Sequence, residues 1–157
     1  MADEIDRTID YREHPEAYRI GRGERGVLTI EPYKSELLPH WKFASPLDAE
    51  KSAATLLKKF EAYRDAGDFV GMDMARKFLQ MGYTRSRRYA NHRGGRKYGV
   101  DGEVLPLDPD PVKAQSAAIF KAAWERVKAD EAYQAAKDEH RGLERRLKNA
   151  DAGSGDG

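Results

Sequence analysis

The sequence has 157 residues without a cysteine, and 28 Lys and Arg against 27 Asp and Glu give it a formal net charge of +1. This length fits one domain, and the lack of cysteine excludes disulfides, thiolate metal sites and cysteine nucleophiles. The acidic start lacks the apolar core of a signal peptide, and no apolar run reaches the roughly 20 residues that span a bilayer, so we expect a cytoplasmic protein.

Sequence patterns divide the chain into an N-terminus, one domain and a tail. We expect residues 1–10 to be acidic and flexible, residues 11–150 to form a single globular domain, and residues 151–157 to be disordered. The β-branched apolar segment 27–30 has the character of a strand, and residues 17–20 can pair with it across a glycine-rich turn. The sequence therefore predicts a small N-terminal β-hairpin, which must pack against helices because a two-stranded ribbon is marginal alone.

Capping residues and apolar spacing predict several helices in the rest of the domain. Ser45-Pro46 begins one helix, and a second is predicted over Phe69 to Met81 with Gly82 as its C-terminal stop. The remaining predicted helices cover residues 84–90, a segment that begins at Asp110-Pro111, and residues 132–150. The predicted fold class is mainly α (α+β), a helical domain with a small N-terminal β-hairpin.

The charge is distributed unevenly along the chain. Met74 to Val100 is a run of 27 residues with eight Lys and Arg and no Asp or Glu, while the rest has 20 basic against 27 acidic residues. Clustered guanidinium groups repel one another unless an anion offsets them. The same run contains Tyr, Asn and His, which are able to stack on or hydrogen-bond to a nucleotide. This segregation predicts an anionic partner.

The predicted ligand is nucleic acid or another polyanion, bound by phosphate contacts with limited reading of sequence. Arg85, Arg88 and His92 fall on one helical face, and arginine suits bidentate phosphate contacts better than lysine does. In one alternative the arginines pair internally with the acidic N-terminal segment, and in another they meet a protein partner or a substrate carboxylate. The candidate binding residues are Arg76, Lys77, Arg85, Arg87, Arg88, Tyr89, Asn91, His92, Arg93, Arg96 and Lys97, assisted by Arg22 and Arg25.

Two local motifs have weaker functional interpretations. Gly21 to Gly26 matches G-x-G-x-x-G, but a dinucleotide site needs a helix after it and the kinase arrangement needs further motifs that this chain lacks. Its simplest interpretation is a hairpin tip with solvated arginines. Helix, glycine and helix around Gly82 suggest a helix-turn-helix, although the glycine comes three residues later than in the usual DNA-reading motif.

An enzyme acting on a phosphorylated or nucleotide substrate is the main alternative function. In that case the arginines form a clamp and His92 or His14 serves as acid or base. A second alternative is a protein-interaction adaptor that uses the charged helix 132–150. No metal site and no cofactor is predicted, and the oligomeric state stays open.

Two long stretches carry a family resemblance. The first runs from Tyr11 to Val27 (YREHPEAYRIGRGERGV), followed by EPYKS at 31–35 and LPHW at 38–41, and the second from Phe69 to Tyr98 (FVGMDMARKFLQMGYTRSRRYANHRGGRKY). Together they resemble an uncharacterised family of small bacterial and phage proteins classed as a domain of unknown function. The resemblance covers roughly Tyr11 to Tyr133. It implies that both stretches belong to one domain, and it implies no activity, cofactor or catalytic residue.

Overall fold

The computed structural model describes residues 6–91, 98–104 and 110–154. In these ranges the mainly α class is confirmed, since the chain forms five α-helices and two short 3-10 helices. The α-helices are α1 (Tyr33–Leu37), α2 (Pro46–Asp65), α3 (Phe69–Asn91), α4 (Pro111–Ala129) and α5 (Glu131–Ser154), and the 3-10 helices are Pro15–Ala17 and Leu38–His40.

Helix α3 is the central element of the fold. It packs mainly against α4 and α2, and α1 and α5 also contact it. Every residue from Val70 to Leu79 is buried, which requires that neighbouring elements cover all sides of this stretch. Phe78 of α3, Leu56 of α2 and Phe120 of α4 are fully buried in the same core. A charged residue in this part of α3 must therefore find its partner inside the protein.

The helix starts predicted at Ser45 and Asp110 are confirmed. Ser45 Oγ accepts a hydrogen bond from the backbone N–H of Asp48 at 3.1 Å, and the Asp110 carboxylate accepts one from the N–H of Val112 at 3.0 Å. The proline that follows each cap stands in the first helical turn, where its missing N–H leaves no bond unmade. Both helix starts depend on residues that are close in the sequence, so a local sequence pattern predicts them correctly.

The helix end predicted at Gly82 is wrong, because α3 continues to Asn91. Gly82 is buried inside the helix, and a Cβ added there would lie 2.4 Å from Cδ1 of Phe120. The missing side chain lets α3 and α4 approach closely and does not end the helix. Residues 84–90 form the last turns of α3, so the helix-turn-helix corner does not form.

The predicted β-hairpin is also wrong, because residues 17–30 contain no strand. Consecutive turns take its place, such as the bond from the N–H of Val27 to the carbonyl of Glu24 at 3.1 Å. The three glycines of the G-x-G-x-x-G motif have φ values of 69°, 55° and 86°, which suit turns better than strands. Ile20, Val27 and Ile30 are each buried in the core. These three apolar residues of the expected strands are therefore buried without a β-ladder, whereas Leu28 is exposed.

Further observations concern the C-terminal helix, the apolar character of the helices and the ranges that the structure describes. Helix α5 continues through Ser154, into the segment for which the sequence predicts a disordered tail. No helix among the described residues is both long and apolar enough to cross a membrane. Most of the loop predicted after Asn91, residues 92–97, lies outside the described residues, as do residues 1–5, 105–109 and 155–157.

Candidate functional site

Arg76 and Lys77, the first two predicted phosphate-binding residues, are folded into the protein. Arg76 is 7% exposed and Lys77 is 0% exposed. Arg76 donates from Nη2 and Nε to Oδ1 of Asp73 at 2.7 and 3.0 Å. Lys77 Nζ lies 4.0 Å from Oδ2 of Asp73 and donates to the carbonyls of Ile20 at 2.7 Å and Arg25 at 2.5 Å. Both side chains thus have internal partners, and they hold the N-terminal loop against α3.

Asp73 is the centre of this buried polar network. The Tyr133 hydroxyl donates to Oδ1 at 2.6 Å, and the Tyr18 hydroxyl donates to Oδ2. Burial alone would raise the pKa of Asp73, but the charges of Arg76 and Lys77 outweigh it and hold the pKa below its ordinary value. Burial lowers the pKa of Lys77 to about 8, although the Asp73 charge opposes this shift. The network therefore contains an ionised carboxylate that two cations share.

The C-terminal half of α3 carries the exposed part of the predicted site. Arg85, Arg87 and Arg88 are exposed there, and we call these three residues the arginine face. In the described ranges, none of them forms an ion pair with a carboxylate. The polar contact of Arg87 is with Oδ1 of Asn91 at 3.5 Å. Three cations thus lie within four residues of one helix, and no described carboxylate is within ion-pair distance of them.

An aromatic pocket lies beside this face. Its volume is about 390 Å³, and it is lined by Trp41, Lys42, Phe43, Ala44, Asp48, Tyr89 and Lys113. The ring centroids of Trp41 and Phe43 are 4.9 Å apart, and those of Phe43 and Tyr89 are 6.0 Å apart. Lys113 Nζ lies 5.6 Å from the centroid of Phe43 and donates to the carbonyl of Ala44 at 2.7 Å. The pocket therefore combines aromatic walls with an ammonium group, and Tyr89 joins it to α3.

A second cavity collects basic residues from four parts of the fold. Its volume is about 370 Å³, and the N-terminal loop, α3, α4 and α5 line it. Its basic residues are Arg22, Arg76, Lys128, Lys137 and Arg141, and we call it the cationic pocket. Arg22 and Arg76 are predicted site residues, and this pocket brings them together through Gly23, whose carbonyl accepts a bond from Arg76 Nη1 at 2.6 Å.

The alternative of internal pairing with the acidic N-terminus is not supported by the described ion pairs. Glu16 of this segment lies 3.3 Å from the exposed His14, and Arg12 pairs with Glu36 at 2.7 Å. The acids among residues 1–5 lie outside the described residues, so for them the alternative stays a prediction. His14, an alternative acid or base, lines neither of the two cavities. The exposed Arg25 lies in the N-terminal loop. The other predicted site residues, His92, Arg93, Arg96 and Lys97, lie outside the described residues.

Several residues of both pockets were not predicted from the sequence. Trp41, Phe43 and Lys113 of the aromatic pocket are not among the candidate binding residues. Lys128, Lys137 and Arg141 lie more than 100 positions from Arg22, so no local pattern connects them. The available signal was the spacing of Lys137 and Arg141 at i and i+4, which puts both on one face of α5.

The structure thus defines a helical protein with an arginine-bearing helix face, an aromatic pocket and a cationic pocket. No group of three or more His, Cys, Asp or Glu that suits a metal ion occurs among the described residues. Residues 2–143 match a family described as "Domain of unknown function (DUF4385)", and the chain belongs to this family. No curated protein and no solved structure matched the chain.

Proposed function

We propose that this protein binds single-stranded nucleic acid along the C-terminal half of α3. In this proposal the arginine face contacts phosphates, and the aromatic pocket accepts a base next to them. The observation that carries the proposal is the position of Arg85 and Arg88 within about one helical turn of Tyr89, which lines the aromatic pocket with Trp41 and Phe43. These arginines are exposed and have no carboxylate partner among the described residues.

The charge of the arginine face supports a phosphate ligand. Arg85 and Arg88 are one helical turn apart, so their guanidinium groups repel each other in the free protein. A phosphate backbone offsets this repulsion and accepts bidentate hydrogen bonds from guanidinium groups. The next basic residues in the sequence, His92, Arg93, Arg96 and Lys97, continue the acid-free run, and the proposal includes them.

The aromatic pocket favours a single strand over a duplex. A base must leave its stack to enter a pocket, and unpaired bases do so at little cost. Stacking on an aromatic ring tolerates any base because every base has a π-face. The Lys113 ammonium, 6.0 Å from the centroid of Tyr89, adds positive charge at this position. The expected binding therefore follows the backbone and depends little on sequence.

Fluorescence anisotropy with a labelled single-stranded oligonucleotide tests the proposal. The test variant combines Arg85→Gln and Arg88→Gln, which keep polar side chains and remove two charges. A matched control combines Arg145→Gln and Lys148→Gln, two exposed cations of α5 outside both pockets. Each lost single-strand contact should weaken binding roughly tenfold at about 50 mM salt, because it removes about 0.7 from the slope of log K against log salt.

The comparison of variants decides between a site and diffuse attraction. We expect the arginine-face variant to lose affinity while the control stays near the wild type, with both keeping the wild-type melting temperature. Equal losses in both variants would show that only net charge matters. A preference for duplex over single strand would reject the role of the aromatic pocket.

Two further expectations belong to the proposal. We also propose a cytoplasmic location, with which a nucleic-acid ligand is consistent. A bacterial or phage origin follows from the resemblance of the two long stretches. Fractionation of source cells tests the location, because recovery of the protein outside the cytoplasm would contradict it.

A further inference from the structure

The cationic pocket shares no lining residue with the arginine face or the aromatic pocket. It lies where the loop 20–23 meets α3, α4 and α5. The cationic pocket is therefore a site separate from the proposed nucleic-acid surface.

The charge in this pocket is strongly one-sided. Its described lining holds five cations and no Asp or Glu. Of the five, Arg76 is ion-paired with Asp73, and within the described ranges the other four have no carboxylate within ion-pair distance. Like charges that converge on a cavity raise its potential and attract an anion.

Several pocket residues are held in place before any ligand arrives. The Arg76 guanidinium is fixed by Asp73 and by bonds from Nη1 to the Gly23 carbonyl at 2.6 Å and to Gln80 Oε1 at 2.8 Å. Lys128 Nζ lies 4.0 Å from the centroid of the Trp124 ring, which also lines the pocket. The charges of Arg76 and Lys128 are therefore already restricted in position, which reduces the entropy lost when a ligand is attracted to them.

The protonation of Lys137 reflects the same crowding. Burial, together with the charges of Arg76 and Arg141, lowers the pKa of Lys137, and the charges of Asp73 and Asp138 oppose this shift without cancelling it. An anion in the pocket would reverse the effect of the neighbouring cations and favour the ammonium form.

We propose that the cationic pocket binds a small molecule that carries a phosphate or diphosphate group, with Arg22, Lys137 and Arg141 as its direct contacts. A single carboxylate would offset only one of the four unpaired charges, whereas a diphosphate carries several negative charges and many acceptor oxygens. Arginine forks also match phosphate oxygens in pairs. The volume of about 370 Å³ is within the range of small-molecule sites, about 300–1,000 Å³.

Isothermal titration calorimetry with inorganic pyrophosphate tests this site on the full chain. The test variant combines Lys137→Gln and Arg141→Gln, and the Arg145→Gln, Lys148→Gln variant of the same helix is the matched control. Each charge-assisted hydrogen bond lost should weaken binding about tenfold to a hundredfold. We expect this loss in the pocket variant and wild-type affinity in the control.

Three results of the calorimetry would overturn the proposal. The first is no binding of millimolar pyrophosphate by the wild type, and the second is an equal loss in the control variant. The third is equal affinity for pyrophosphate and for sulfate at the same ionic strength, which would mean that the pocket does not distinguish a diphosphate from a smaller dianion. Thermal melts of both variants verify that they fold.

The oligonucleotide assay separates this inference from the proposed function. The pocket variant should bind the labelled single strand as the wild type does, because it keeps the arginine face. Loss of oligonucleotide binding in this variant would instead make the cationic pocket part of the nucleic-acid surface and would overturn a separate small-molecule site.

Discussion

Replacing Asp73 with asparagine tests whether the buried network holds the N-terminal loop on α3. The carboxylate accepts bonds from the hydroxyls of Tyr18 and Tyr133 and from Arg76, and it lies 4.0 Å from Lys77 Nζ. Asparagine has nearly the same shape, but it carries no charge and turns an NH₂ group toward groups that are themselves donors. Because two buried cations lose their counter-ion, the free energy of unfolding should fall by about 3–5 kcal/mol.

Urea unfolding followed by circular dichroism measures this loss, with Glu125→Gln, an exposed carboxylate of α4, as the control. The folded-state pKa of Asp73 is lowered from 3.8, so its contribution is present above about pH 3.8 and is lost as the pH falls through the lower folded value. The difference between wild type and Asp73→Asn should therefore narrow below pH 3.8. A loss no larger than that of the control at pH 7 would refute the network.

Two further predictions concern the helix packing and the aromatic pocket. Gly82→Ala should lower the free energy of unfolding by about 1–3 kcal/mol in urea melts, because the added methyl group overlaps the Phe120 ring. The same Gly82→Ala change should cost less in a Phe120→Leu background than in the wild type. An equal cost in both backgrounds would contradict the close approach of α3 and α4. Tyr89→Ala should weaken oligonucleotide binding by about 1–3 kcal/mol through lost stacking, while Tyr89→Phe should retain it in the same anisotropy assay. Equal affinity of Tyr89→Ala and the wild type would contradict a base in the pocket.

The parts of the fold that depend on neighbouring residues could be predicted from the sequence. The caps at Ser45 and Asp110 are examples, because a side chain there bonds to an N–H two or three positions away. Gly82 could not be interpreted locally, since a glycine that ends a helix and a glycine that admits a neighbouring ring look the same in sequence. What distinguishes them is Phe120, which is 38 positions away.

The hairpin prediction failed for a related reason. Ile20, Val27 and Ile30 have the apolar, β-branched character of strand residues, but in this fold turns bury the same side chains in the core. The carbonyl of Ile20, which a ladder would use, accepts a bond from Lys77 of α3 instead, and that of Tyr18 lies 2.7 Å from Nε2 of His140 in α5. Such side-chain partners lie far along the chain, and β-propensity does not indicate them.

The candidate site was predicted in part. The acid-free run located the arginine face, but it began one residue after Asp73, which lies three and four positions before Arg76 and Lys77. This helical spacing was the available sign that both cations pair internally. The cationic pocket had no comparable sign, because only the tertiary fold brings Arg22 to Lys137 and Arg141.

The salt dependence of oligonucleotide binding tests the central claim most directly. On a single strand each phosphate contact contributes about 0.7 to the slope of log K against log salt, so the slope of the Arg85→Gln, Arg88→Gln variant should be shallower than that of the wild type by about 1.4. The Arg145→Gln, Lys148→Gln control should keep the wild-type slope. Equal slopes for the wild type and the arginine-face variant, or no binding by the wild type at about 50 mM salt, would contradict the assignment of α3 as the nucleic-acid surface.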